Sequence, residues 1–482
     1  MSSRTSHSIG AICTAFALLA GSLTAQPASR LSPEVRAFVG VDAPVVALTH
    51  VRLIDGTGAP VRSEQTIVIR DGQIEAVGAG GETPIPEDAE LLDLSGHTVI
   101  PGLVGLHDHL FYTAVGGRRA QLNFSAPRLY LGAGVTTIRT AGSTAPYADI
   151  NLMHGIQDGR VPGPRIFITA PYITGEADQA LHRKKLSSPE EARRFVAYWA
   201  EEGASWIKAY TNIRRAELAA AIQEAHARDL KVTGHLCSVT YREAVELGID
   251  NLEHGLLTAA DFVEGKVPDT CPANILVQTG QGADPTGPRA EEVFREMIER
   301  GVALTSTLAV YEPFFPNRPT KDERTLTAMA PEIREAYLKA REQIDAQGAS
   351  FPLQVAFLEK AMAFELAFYR AGGLLAAGVD PTGIGGALPG FGDQRNYELF
   401  IEAGFLPEEA IQVMTANGAR VLGVEGTLGT VEPGKRADVV VLKGDLSEDP
   451  SVIREVTLVF KDGVGYDSPE LISSVNGRVG IQ

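Results

Sequence analysis

Residues 99–112 read VIPGLVGLHDHLFY. The stretch begins as an apolar run, the composition of a strand buried on both faces, and ends by placing His107 and His109 one residue apart. In an extended chain residues i and i+2 point to the same side, so both imidazoles project together from the strand's end. Imidazole is the commonest protein ligand for divalent transition metals, so the pair raises a question of metal binding that the rest of the chain must answer.

Downstream of this stretch, short apolar strands alternate with helical patterns, the signature of βα units around a parallel sheet. Eight strands are expected, over 99–106, 135–140, 165–170, 206–210, 231–235, 251–254, 302–309 and 374–380. Eight is the number that closes a TIM barrel, so the expected fold class is α/β with a (β/α)8 barrel over 99–423. Helices such as SPEEARRFVAYWAEEG (188–203) and RRAELAAAIQEAHARDL (214–230) lie between the strands, the first opening with Ser-Pro-Glu-Glu as a helix start should. A polar insertion over about 313–351 follows the seventh strand and reads equally as a lid or as a surface helical excursion.

The flanks read differently. Residues 26–98 contain short alternating strands broken by turns, with Asp71-Gly72 a hairpin signal. Residues 424–482 repeat that style, and VFKDG (459–463) echoes VIRDG (68–72). The two ends are expected to build one small β-sandwich split by the barrel. Before them, residues 1–25 have a basic start at Arg4, an apolar run and a small-residue site at Ala25, the pattern of a secretory signal. The run is short and rich in Ala, Gly and Thr for a membrane span, so the expectation is export to a periplasm or the exterior, with no stable membrane insertion after cleavage. Cys13 falls inside this segment, leaving Cys237 and Cys271, too few for a disulfide framework.

With 44% hydrophobic and 21% charged residues the chain is an ordinary globular protein. Its net charge of -17 disfavours nucleic acid and anionic membrane surfaces as partners.

In a TIM barrel the active site lies at the C-terminal ends of the strands. Strand one ends with His107 and His109, strand four carries Lys208, strand five ends at His235, strand six at His254 and strand eight at Asp380. Each alone has an ordinary structural explanation; their joint convergence on one rim points to a metal centre.

These motifs resemble the metal-dependent amidohydrolase superfamily, in its imidazolonepropionase and prolidase-like branch, which includes Xaa-Pro dipeptidases and ochratoxin-type amidohydrolases. The resemblance rests on IPGLVGLHDHL, GVTTIRTAG, LEHG and GTVEPGKRADVVVL and covers nearly the whole chain after the signal segment. It implies that His107, His109 and Asp380 hold one metal and His235 and His254 a second, with Lys208, carboxylated by carbon dioxide, bridging them. A carbamate is an oxygen anion that two cations can share. Zinc is the first choice for such a histidine-rich set, although manganese, cobalt or iron tolerate the same ligands. The implied reaction is hydrolysis by a metal-bridging hydroxide, with Asp380 as general acid and base.

The implied substrate is an amide joining an acyl or aminoacyl group to an amino acid. The alternative within enzymes is a cyclic amide or lactone, and a different class is a non-catalytic binding protein on the same fold, disfavoured because no ligand is missing. Tyr112, Arg139, Tyr172, Tyr210 and Tyr311 sit near strand ends and His182 lies in the loop after strand three, where substrate can reach; all six are candidate substrate contacts, Tyr210 and Arg139 foremost. Relatives often carry another side chain before the strand-five histidine, where this chain has Gly234. His50, His97, His154 and His226 are expected to be bystanders. A homo-oligomer is expected from the exposed faces of such barrels.

Overall fold

Short strands with no polar face to spare build the central sheet. The computed structural model describes residues 30–113, 119–318 and 321–480; the expected signal segment lies outside them. Ten parallel strands form this sheet: β1 (Leu103–Asp108), β2 (Val135–Thr140), β3 (Arg165–Phe167), β4 (Thr169–Gly175), β5 (Lys184–Leu186), β6 (Trp206–Ala209), β7 (Lys231–Gly234), β8 (Asn251–Glu253), β9 (Ala303–Ser306) and β10 (Leu375–Ala377). Their order is β3-β2-β1-β10-β9-β8-β7-β6-β4-β5. β3 and β4 are consecutive in the chain, parted by Ile168, yet β3 pairs with β2 (Thr137 opposite Arg165) and β4 with β6 (Tyr172 opposite Lys208). Helices cover the outer face; Pro189–Glu201 starts as expected, the Ser188 hydroxyl accepting from the Glu191 N–H at 3.3 Å.

The expected strand over 99–106 is in fact two. His97–Pro101 belongs to the other large sheet, antiparallel to Val439–Lys443 with Val99 opposite Val441, and the parallel strand begins at Leu103. The break is local chemistry: Pro101 has no N–H to continue a ladder, and a Cβ on Gly102 would meet the Thr136 Oγ1 at 2.2 Å, so only glycine lets the chain cross so close to β2. Likewise 165–170 divides into β3 and β4, and 302–309 gives β9 followed by a short helix, Leu308–Tyr311.

The second large sheet has nine strands drawn from both chain ends. Arg62–Arg70 and Gln73–Ala79 pair through Asp71 and Gly72, both left-handed at φ 48° and 79°, the two-residue turn that an Asp-Gly pair favours. The C-terminal echo is the same device: Val456–Lys461 and Val464–Asp467 join through Asp462 and Gly463 at φ 51° and 82°. Along Val439–Lys443, Val439 and Val441 enter this sheet's own apolar cluster while Val440 and Leu442 enter the main core, the period-two alternation of a strand between two layers.

The insertion forms Glu323–Ala328 and Pro331–Gln347. It is held from several sides. Glu312, fully buried, accepts from Arg395 at 2.7 and 2.9 Å, and Arg318 donates to Glu402 at 2.7 Å. The Val479 N–H donates to the Ala328 carbonyl and its own carbonyl accepts from Ala330, at 2.9 and 3.0 Å. Cys237 and Cys271, set aside as too few for a framework, are joined in one disulfide that ties the loop after β7 to a segment 34 residues away. Among the described residues no helix is long and apolar enough to cross a membrane.

Candidate metal centre

Strand termini bring six of the expected residues together. His107 lies inside β1 and His109 just beyond it, Lys208 inside β6, His235 directly after β7, His254 directly after β8 and Asp380 three residues after β10. The His107 Nε2 is 3.6 Å and the His109 Nε2 3.2 Å from Asp380 carboxylate oxygens. The His254 ring packs at 4.5 Å from His107 and 4.3 Å from His235, between centroids. Ligand atoms of His107, His254 and Asp380 all fall within 4.8 Å of one another.

Each of three rings is anchored by one nitrogen and presents the other. The His107 Nδ1 is 2.8 Å from the Glu253 Oε2, the His109 Nδ1 3.2 Å from the Gly142 carbonyl, and the His254 Nδ1 2.6 Å from the Thr307 Oγ1. The His254 Nε2 is buried with no hydrogen-bond partner, and the buried Lys208 Nζ is ion-paired with the Glu253 Oε1 at 3.4 Å. Such anchoring sets ring orientation and tautomer, as metal-ligating histidines require. Burial, reinforced by Lys208, lowers His107 to about 4 and His235 to about 3, and burial with His235 and His107 carries His254 well down too. These rings are neutral near pH 7, with lone pairs to offer. Burial likewise lowers Lys208 to about 8. For Asp380 burial opposes ionisation, but His107 and His109 outweigh it and hold the carboxyl well below the usual range. The donor set is therefore one that a divalent cation fits: neutral imidazoles, an ionised carboxylate and the unpartnered, buried His254 Nε2.

Backbone conformation makes the convergence geometrically accessible. Glu253 and His254 are adjacent, and in a regular strand they would face opposite ways. His254 instead adopts φ 72°, and Asp380 φ 48°, left-handed conformations that cost a non-glycine residue roughly 1 kcal/mol or more and that gather at functional sites. Both residues thereby turn inward at the strand ends.

Of the expected substrate contacts, Tyr172, Tyr210, Tyr311 and His182 line a cavity of about 250 Å³ over the cluster, together with Phe111, Arg119 and Arg183. Tyr210 packs 4.7 Å from the His235 ring and Tyr311 5.4 Å from that of His254. Two expectations are corrected. Tyr112 is buried in the main core, its hydroxyl donating to the Gly385 carbonyl at 2.6 Å; alternation along Phe111–Thr113 puts Phe111 toward the cavity instead, 4.6 Å from the His109 ring. Arg139 is fully buried beneath the cluster, stacked 4.5 Å over Trp206 and donating to the Glu253 Oε1 at 2.6 Å, because its place in β2 aims it into the sheet interior. Glu253 is the residue sequence reasoning missed. Burial opposes its charge, but Lys208, His107 and Arg139 outweigh this and hold it ionised. The Glu-His pair in NLEHG is its available signal.

The sequence profile of the Amidohydrolase family matches residues 98–465. Among curated proteins, a dihydroorotase of Pelotomaculum thermopropionicum is 25% identical over 410 residues, spanning 80% of this chain and 87% of that protein. An imidazolonepropionase of Alkaliphilus metalliredigens is 24% identical, spanning 78% and 83%. Among solved structures, a putative prolidase from Bifidobacterium longum superposes with a TM-score of 0.63 at 26% identity, covering 90% of this chain and 99% of its own. A Xaa-Pro dipeptidase with bound methionine superposes with a TM-score of 0.64 at 22% identity, covering 88% and 100%.

Proposed function

The chain belongs to the amidohydrolase family, and from that premise we propose that it hydrolyses an amide joining an acyl or aminoacyl group to an amino acid, using two divalent metal ions, zinc foremost. His107, His109 and Asp380 would hold one ion and His235 and His254 the other, with Lys208, as its carbamate, supplying an oxygen anion that both could share. When bound, such ions lower the pKa of a coordinated water toward neutrality and polarise a carbonyl oxygen. The observation that carries the reading is the closeness of His107, His254 and Asp380, with the His254 Nε2 buried and unpartnered. Charge balance supports the carbamate: with it, one buried cation, Arg139, faces three anions, the carbamate, Glu253 and Asp380, an excess suited to cations.

The protein's own groups do the rest. Asp380 takes the proton that the attacking water gives up and hands it to the leaving nitrogen. Glu253, Thr307 and the Gly142 carbonyl keep three imidazoles oriented, and Tyr172, Tyr210 and Tyr311 wall the cavity in which the amide lies. The same groups serve a cyclic amide or lactone, the reading toward which the names dihydroorotase and imidazolonepropionase point. In this reading β3 and β4 together make one barrel strand, closing an eight-stranded (β/α)8 ring through Ile168, and the terminal strands form the accompanying β-sandwich; the chain is exported, its 1–25 segment removed, and assembles as a homo-oligomer.

Elemental analysis of protein supplied with zinc and bicarbonate, beside a panel of dipeptides, N-acyl amino acids and cyclic amides, tests the proposal. Near two ions per chain with turnover of a linear member is the expected outcome; one or none with no turnover overturns it. Asp380→Asn is expected to lower kcat by at least about 1,000-fold, since it removes the proton carrier as well as a charged ligand; a binding protein would keep its ligand and show no turnover to lose.

A further inference from the structure

A second cavity, of about 770 Å³, opens at the end of the central sheet opposite the metal centre, a volume ordinary for small-molecule sites. Trp206, Lys231 and Ala303, which begin β6, β7 and β9, form its floor. The turns that enter β9 and β10 are tight. Gly301 and Gly372 stand at φ 67° and 92° with nothing within 4 Å of where a side chain would project, so the chain leaves this end of the sheet uncovered.

Four charged side chains are among the described residues lining this cavity, two of each sign: Lys231 and Arg420, Asp250 and Glu425. In a chain of net charge -17 that balance is local. Arg420 and Glu425 make no ion pair among the described residues. The His226 Nε2 at 2.9 Å and the Val232 N–H at 2.8 Å both meet Asp250 at Oδ2, which leaves Oδ1 to a ligand. Lys231 gives one donor to the Val421 carbonyl at 2.7 Å and keeps two. A simple anion or cation matches half of this set and is opposed by the other half, whereas a zwitterion matches both. Ile298, Val302 and Leu374 add an apolar side to the wall.

The floor is joined to the metal centre by direct contacts. The Lys231 Nζ stands 5.5 Å and the Arg139 guanidinium 4.5 Å from the centre of the Trp206 ring, both within cation–π reach. Arg139 in turn donates to the Glu253 Oε1 at 2.6 Å, and the other oxygen of Glu253 lies 2.8 Å from the His107 Nδ1. The Nε and Nη1 of Arg139 are buried without hydrogen-bond partners, so Trp206 and Glu253 are what fix its place. We propose that this cavity binds a free α-amino acid with an apolar side chain, its carboxylate meeting Lys231 and Arg420 and its ammonium meeting Asp250 and Glu425, and that occupancy is felt at the metal centre through Trp206, Arg139 and Glu253. Such a zwitterion is what hydrolysis of the amides proposed above releases; that source rests on the amide-hydrolase reading, and the binding site does not.

The chain has two tryptophans, Trp199 and Trp206, so Trp199→Phe leaves the cavity floor as the sole indole emitter. In the metal-loaded Trp199→Phe protein, L-leucine is expected to change Trp206 emission saturably. It should bind at least about 10-fold more tightly than 3-methylbutylamine or 4-methylpentanoate, each of which lacks one of its charges and neither of which can be hydrolysed. Adding Arg420→Gln or Glu425→Gln should weaken leucine binding several-fold with the melting temperature unchanged. In turnover assays leucine should alter kcat, and Arg420→Gln should remove that change; a product bound at the metal centre alone raises KM and leaves kcat. No saturable emission change, equal binding of the three probes, or a response kept in both variants overturns the site. A response with kcat unchanged overturns the coupling. The emission does not depend on turnover, so a protein that hydrolyses no amide still tests the site, and failure of the site leaves the metal reading intact.

Discussion

At the scale of single residues, Glu253 decides more than its place in the chain suggests. It is fully buried and receives Arg139, His107 and the Thr233 hydroxyl, so one carboxylate orients a candidate ligand and neutralises a cation under the site. A carboxylate partner raises the basicity of a ligating imidazole and fixes its tautomer. Glu253→Gln keeps the shape and removes the charge, leaving Arg139 and Lys208 without their shared anion. We expect metal affinity to fall about 10- to 100-fold, read by metal titration, with activity recovering in part at excess metal; unchanged affinity would show that Glu253 serves Arg139 alone. The neighbouring histidine was legible from sequence because it recurs with other histidines at successive strand ends. The glutamate was not, because a carboxylate beside a histidine looks like any polar strand terminus until its partners, from β1, β2 and β7, are known.

At the scale of elements, periodicity predicted the strands and misassigned some of their faces. Alternation puts His107 and His109 on one side, whereas chemical type alone favours Tyr112 over Phe111 and the register sends the tyrosine to the core. Strand lengths were overestimated where the chain leaves the sheet early, as at Gly102 and Ile168, since an apolar residue just past a strand carries the same local signal as one inside it. The disulfide belongs to this scale as well. Cys237 lies two residues beyond His235, and its bond to Cys271, a sequence separation of 34, pins the loop on which that ligand sits. Loop closure of this length is worth about 3–4 kcal/mol in the chain-entropy view. The double variant Cys237→Ser, Cys271→Ser should lose about 2–4 kcal/mol of unfolding free energy in denaturant titrations, with zinc content per folded chain also falling; a stability matching the parent would show that the surrounding contacts, such as Lys266 Nζ to the Ser238 carbonyl at 2.6 Å, suffice alone.

At the scale of the whole molecule, the two chain ends meet in one sheet and that sheet is bolted to the parallel one. Arg165, from β3, donates to the Asp438 Oδ2 at 2.9 Å and the Asp462 Oδ1 at 2.7 Å. For Asp462 burial opposes ionisation, but Arg165, Lys461 and Arg436 outweigh it, holding the carboxyl below its usual range. A carboxyl depressed in the folded state contributes stability that is present above its unfolded pKa near 4 and is lost as pH falls through the folded value. Arg165→Met should cost about 3–5 kcal/mol near neutrality by leaving two acids short of a partner. The same variant should flatten the loss of stability below about pH 4; melting curves across that range check both, and a parallel acid limb in the variant would exclude this link.

Taken alone, the sequence determined the residue types of the candidate metal cluster, their recurrence at successive strand ends, the two Asp-Gly hairpins and the sharing of one sheet by both termini, because each is written in local period, turn chemistry or motif. Only the tertiary structure decided that Arg139 is support beneath the site, that Glu253 ties three strands together and that Arg119 and Arg183 line the cavity. Those assignments depend on contacts between residues far apart in the chain, and no local pattern records which face of one strand will meet which end of another.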